Sequence, residues 1–79
     1  MRNQIMNVIN GVLVEVLPDL EGENINPDQI ISDLGADSVD RGEIIALSME
    51  RLNYEGSRIE FANARTLNEM ADVFEKKAK

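Results

Sequence analysis

The sequence predicts an all-α fold, a small bundle of three long helices plus one short helix with a long first loop. Three observations carry this. Apolar residues recur at helical spacing in three separate stretches. No β-hairpin signal, internal repeat or low-complexity tract interrupts them. A length of 79 residues allows one small domain, spanning 1–79, which buries roughly 60% of its unfolded surface and has little room for an enclosed active site.

The first helix is expected over about 2–17, where Ile5, Val8, Ile9, Val12 and Val16 share one face. Pro18 ends it, because the residue before a proline is pushed out of the helical region. Gly11 inside it costs about 1 kcal/mol relative to Ala and marks a candidate close helix contact. Residues 18–37 form the long loop, punctuated by Pro18, Gly22, Pro27 and Gly35. Loops of this length in compact domains are often functional. Leu20, Ile25, Ile30, Ile31 and Leu34 can pin it to the bundle, and Asn26-Pro27 reads as a cap and first-turn proline for a helical turn over 27–33.

The second helix should start at Asp37 or Ser38 and run to about Asn53, with Val39, Ile44, Ile45, Leu47, Met49 and Leu52 apolar. Asp37, Asp40 and Glu43 lie in its first two turns, at the positive end of the helix dipole. A turn over 54–57 leads to a short helix over 57–62, placing Ile59 and Phe61 inward. The last helix, 66–77, opens on Thr66 with Glu69 three residues on, a capping box. Its apolar face is Leu67, Met70, Ala71, Val73 and Phe74, and Lys76, Lys77 and Lys79 complement the negative end of its dipole.

Composition excludes much. Fifteen acids against eight bases give a net charge of −7, and there is no His, Cys or Trp. Nucleic-acid binding normally needs a basic stripe, so none is expected. Disulfides, Cys/His zinc sites and His-assisted nucleophiles are impossible. No D-x-D-x-D-G loop offers a metal site. The polar residues Asn3, Asn7, Asn10 and Glu15 break the apolar run that a signal or spanning segment would need, so no membrane association and a cytoplasmic location are expected. No heptad seam or extra apolar face stands out, so a monomer is expected.

The charge is concentrated. Nine acids and one base, Arg41, lie between Glu15 and Glu43. Charge runs are usually solvated faces; the sharper reading is a docking field for basic proteins, which favours fast encounter over raw affinity. At its centre stands Asp33-Leu34-Gly35-Ala36-Asp37-Ser38-Val39-Asp40. Read as local structure, this is a turn on Gly35 into a helix capped by Asp37 or Ser38. Ser38 then sits at an exposed helix start, and the chain holds no base to activate it. It is therefore more credible as a site of modification by another enzyme than as a catalyst.

Leu34-Gly35-Ala36-Asp37-Ser38-Val39-Asp40 resembles the Leu-Gly-x-Asp-Ser-Leu-Asp signature of acyl carrier proteins. Length, acidity, long first loop and helix order agree over nearly the whole chain. The resemblance implies a carrier rather than an enzyme, with 4′-phosphopantetheine from coenzyme A attached at Ser38. Asp37 matches the preceding motif Asp, and Asp40 and Glu43 match acidic positions of the partner-recognition helix. The partners implied are a phosphopantetheinyl transferase, an acyl-loading enzyme and a ketosynthase or HMG-CoA-synthase-like enzyme.

Some positions depart from the family pattern. Val39 replaces the commoner Leu. Gly42 stands where an apolar contact residue is usual; it reads either as a tolerated helix glycine or as a bare spot where a partner's backbone can approach. Arg41 is a positive charge amid acids, with a plain alternative as an intrahelical pair with Asp37 four residues before it. The stretch 57–65 lacks the Pro and acidic cluster typical of fatty-acid carriers. Asp-Ser-Val-Asp-Arg-Gly-Glu-Ile-Ile (37–45), with Arg-Ile-Glu-Phe-Ala-Asn-Ala-Arg (58–65), is similar to the stand-alone donor carriers of polyketide β-branching cassettes. There the donor brings an acetyl or malonyl-derived group to an HMG-CoA-synthase-like enzyme. Val39, Asp40, Arg41, Gly42 and Glu43 are then the expected partner contacts. A general fatty-acid or other type II carrier is the alternative, and an unmodified acidic helical interaction module is the alternative from a different class.

Overall fold

A computed structural model describes residues 2–77, the side chain of Lys77 excepted. Three α-helices form the frame: α1 (Arg2–Val16), α2 (Ser38–Arg51) and α3 (Leu67–Lys77). Short 3-10 helices at Pro18–Leu20, Ile31–Leu34 and Arg58–Phe61 fill the connections. No strand occurs among the described residues; Ile30 and Thr66 make one isolated antiparallel bridge. The expected all-α bundle is thus observed, with an unforeseen 3-10 turn at Pro18–Leu20 and the expected loop turn displaced to Ile31–Leu34. Lys79 and the Lys77 side chain, expected near the negative end of α3, lie outside the described residues.

The core is apolar and continuous. Ile5, Ile9, Val12 and Leu13 of α1 meet Ile44 and Ile45 of α2 and Leu67, Met70, Ala71 and Phe74 of α3. Phe61 drops into the same core from the third 3-10 helix, its ring centroid 4.8 Å from Phe74 and 5.5 Å from Tyr54. Burying such side chains contributes ~1.5–3 kcal/mol each. Ser48 is buried among them, and its Oγ finds no hydrogen-bond partner among the described residues. Gly11 is not a close contact: it is exposed and nothing lies within 4 Å of where a Cβ would stand.

The long loop departs from expectation over 27–33. Asn26 does cap locally, its side chain accepting from the Asp28 amide at 2.9 Å. But the helical turn begins only at Ile31, because the intervening backbone is engaged elsewhere. The Ile31 amide donates to the Arg65 carbonyl (2.8 Å) and the Asn68 amide to the Pro27 carbonyl (3.0 Å). The loop is sewn to the start of α3, and Ile30 is extended to allow it.

α2 ends two residues before the expected Asn53. Asn53 adopts φ 52°, a left-handed conformation that Asn tolerates. The Tyr54 amide donates back to Met49 and that of Asn53 to Glu50, the pattern of a Schellman stop with Asn in the usual glycine place. Arg51 in this last turn pairs with Glu15 of α1 at 2.7 Å. At the other end of α1, Arg2 binds Asp72 at 2.6 Å and the Asn68 side chain at 3.1 Å, tying α1 to α3.

Candidate functional site

The loop reaches α2 through Gly35, whose φ of 101° is open only to glycine at low cost. Ala36, immediately after it, is buried in the core cluster. Asp37 then caps α2: its carboxylate accepts from the Asp40 amide at 2.8 Å, and the Asp40 carboxylate accepts from the Asp37 amide at 3.2 Å. This closes a capping box built from two aspartates. Ala36 on one side and buried Ile44 and Ile45 on the other fix the segment between them. Ser38, the first residue of the helix, is exposed.

Val39, an expected partner contact, is 73% exposed. Its apolar side chain stands in solvent beside exposed Ser38, on a part of the first turn that the core does not cover. Ile59, expected inward, is 77% exposed. The tight 3-10 helix at 58–61 can send only part of its side chains to the core, and Phe61 takes that place. Glu43 is exposed, while Asp40 is half-buried by its capping role.

Arg41 makes no ion pair with Asp37. Its guanidinium reaches across to the segment after the third 3-10 helix. Nη2 donates to the carbonyls of Phe61 (2.6 Å), Ala62 (3.0 Å) and Ala64 (2.9 Å), and Nε to Ala64 (3.1 Å). The carbonyls gathered where that chain turns toward α3 offer more acceptors than one aspartate already engaged in its own cap. Gly42 does present a gap, but Arg58 covers it: a Cβ there would stand 2.8 Å from the Arg58 guanidinium.

Two open grooves adjoin Ser38. One runs between α2 and the third 3-10 helix, lined by Ser38, Arg41, Gly42, Ile45, Arg58 and Ile59 among others. The other lies on the loop side and includes Ile30, Ala36, Ser38, Arg41 and Arg65. Sequence reasoning marked 57–65 as a recognition segment but not its proximity to Ser38. Nor did it read Asp37-x-x-Asp40 as a capping box, although that signal has the same spacing as Thr66–Glu69. The box of α3 forms as expected, the Glu69 amide donating to Thr66 Oγ1 and the Thr66 amide to Glu69 Oε1, both at 3.1 Å.

No group of three or more acids among the described residues is placed to hold a metal ion. Among the described residues no helix is long and apolar enough to cross a membrane. What the site offers is an exposed primary hydroxyl at a helix N-terminus, bordered by open grooves. Such a hydroxyl can accept a covalent group, and the helix start favours a negatively charged one.

Comparison with known proteins bears on that group. Residues 7–74 match the phosphopantetheine attachment site family. The polyketide biosynthesis acyl-carrier-protein AcpK of Bacillus subtilis (strain 168) is 39% identical over 72 residues, covering 91% of this chain and 88% of that protein. A chain from the crystal structure of the curacin biosynthetic pathway HMG synthase in complex with acetyl donor-ACP superposes with a TM-score of 0.87. It is 38% identical, and the match covers 94% of this chain and 95% of that one.

Proposed function

Because this chain belongs to the acyl carrier proteins, a family that carries covalently attached 4′-phosphopantetheine, we propose that Ser38 is its attachment point and that it serves as the acetyl or malonyl donor in polyketide β-branching. The observation that carries the first part is the exposed Ser38 at the start of α2, held between buried Ala36 and the Ile44–Ile45 pair. The donor role rests on the likeness to a chain solved with an HMG synthase, over nearly the full length of both. A match covering 95% of a chain to 79 residues or fewer is of carrier size, not synthase size.

The site fits the group. Modification needs an accessible hydroxyl and a base supplied from outside, since the chain has no His. Ser38 Oγ attacks the β-phosphorus of coenzyme A, the new O–P bond forms, 3′,5′-ADP leaves with the broken P–O bond, and the hydroxyl proton passes to the transferase. When bound, the arm supplies the thiol that this Cys-free chain lacks, so that acyl groups ride as thioesters. The chain's own residues do the rest. The Asp37–Asp40 box rigidifies the helix start, Arg41 holds 61–64 against α2, and Val39 with Ile59 offers exposed apolar surface within the acidic field. Acyl-loading and synthase-like enzymes would dock there, and tethering raises the effective concentration of cargo at each.

Incubation with coenzyme A, Mg²⁺ and a broad-specificity transferase, followed by intact-mass measurement, tests the attachment. The chain gains one phosphopantetheine and Ser38→Ala gains none; no gain with a transferase active on a control carrier overturns the reading. Loading assays with acetyl, malonyl and long-chain groups test the donor role. Efficient long-chain loading and elongation, with no transfer to an HMG-CoA-synthase-like partner, would instead mark a fatty-acid carrier.

A further inference from the structure

The five arginines divide into two sets. Arg2 and Arg51 are paired with carboxylates, Asp72 and Glu15. Arg41, Arg58 and Arg65 make no ion pair among the described residues, although the chain carries fifteen acids. These same three line the two grooves that adjoin Ser38. Arg58 is in the groove toward the third 3-10 helix, Arg65 in the loop-side groove, and Arg41 in both. The positive charge of Arg41 is held by neutral carbonyls of Phe61, Ala62 and Ala64, so no acid cancels it. At three residues after Ser38 it stands on the same helix face, one turn behind the hydroxyl. The side chains of Arg58 and Arg65 donate no hydrogen bond among the described residues, and both residues are exposed.

An acidic protein that leaves three guanidiniums unpaired around one hydroxyl has arranged a site for an anion. Asp37 and Asp40 flank the position, so a phosphodiester on Ser38 would meet two like charges beside it. Guanidinium is the side-chain cation best shaped for phosphate oxygens. We infer that Arg58 and Arg65, with Arg41 as the fixed charge behind them, form an internal phosphate-binding site that pairs with the phosphodiester once Ser38 is modified. The inference rests on Ser38 being the attachment point. The arginines then orient the root of the arm along one or the other groove, and release of Arg58 uncovers Gly42.

The full chain is prepared unmodified and modified, with intact mass recorded for each. Arginine Nε–Hε resonances are followed in both forms, Arg2 and Arg51 serving as internal controls. On modification the Arg58 and Arg65 resonances move and those of Arg2 and Arg51 stay. In an Arg58→Gln/Arg65→Gln double variant the unmodified thermal midpoint changes little, because neither side chain holds the fold. Its modified form, however, melts lower relative to its unmodified form than the wild type does, by about 2–5 °C. That difference shrinks in about 0.5 M salt, as exposed ion pairs are screened. A mass gain on Ser38 with unmoved Arg58 and Arg65 resonances, or an unchanged midpoint difference in the double variant, overturns this proposal alone. Failure to gain mass overturns the attachment reading and this proposal with it.

Discussion

The starts of α2 and α3 are built from the same local device and put to different ends. Each opens with a reciprocal capping box at three-residue spacing, Asp37–Asp40 and Thr66–Glu69. Yet the first residue of α3, Leu67, is fully buried, and the first two of α2, Ser38 and Val39, stand in solvent. The difference lies in what crosses above. The long loop runs over the start of α3 and bonds to it through Pro27, Ile31 and the Asn68–Asp28 side-chain pair at 2.6 Å. Among the described residues, no segment from elsewhere in the chain hydrogen-bonds to Ser38 or Val39 at the start of α2. A capping box therefore fixes where a helix begins, and the tertiary path decides whether that start anchors the core or presents a group to other proteins.

The contrast is sharpest in the first turns. Leu67→Ala should cost about 3 kcal/mol in urea unfolding, whereas Val39→Ala should change stability by less than about 0.5 kcal/mol while weakening partner binding. Equal losses at the two positions would break the comparison. Arg41→Gln comes next. It forfeits charge-assisted bonds to three carbonyls and should cost about 2 kcal/mol, loosening 61–64 in hydrogen exchange while α1 stays protected. Arg41→Lys should recover only part, since one ammonium cannot reproduce the planar fork.

The caps follow at about 1 kcal/mol each for Asp37→Ala and Thr66→Ala. The α2 variant should also slow modification of Ser38, because the hydroxyl sits on the frayed turn, and the α3 variant should not.

The smallest effects come from ionisation away from both helix starts. Tyr54 is the chain's one tyrosine, so its absorbance reports it cleanly. Burial, then the bond to Glu60 at 2.8 Å and that carboxylate's charge, push its pKa up to about 12. A raised phenol pKa means stability fully present below the ordinary value of about 10 and lost as pH climbs toward 12. A spectrophotometric midpoint near the ordinary value would show the Tyr54–Glu60 contact is open in solution. Arg51 holds the Glu15 carboxyl below its ordinary range. That contribution is present above the ordinary carboxylate pKa and fades as pH falls through the lowered one. The pair is exposed, so Arg51→Ala should flatten the acid limb of a stability profile only slightly.

Sequence alone placed α1, α2 and α3 to within about two residues, because each carries a 3.6-residue apolar period and a chemical stop or start: Pro18, the acids at 37–40, Thr66 with Glu69. It also singled out Ser38 as a hydroxyl without a base, an inference from composition that needs no geometry. The loop turn at 27–33 was misplaced, because its backbone partners lie near Arg65 and Asn68, far along the chain. Ile59 and Phe61 carry the same apolar signal, yet only Phe61 is buried, because apolar character is local while exposure depends on which neighbours arrive. Arg41 shows the same limit. A charge four residues from an acid suggests an intrahelical pair, but three carbonyls twenty or more residues later offered a better set of acceptors. The sequence by itself determined the helices and, to within about two residues, where they start and stop, all set by contacts within one or two turns. Only the tertiary structure decided that α2 starts in the open while α3 starts under a loop, and that three arginines without acidic partners among the described residues line the grooves beside Ser38. Those outcomes depend on chain segments meeting across long separations, which spacing along a sequence does not encode.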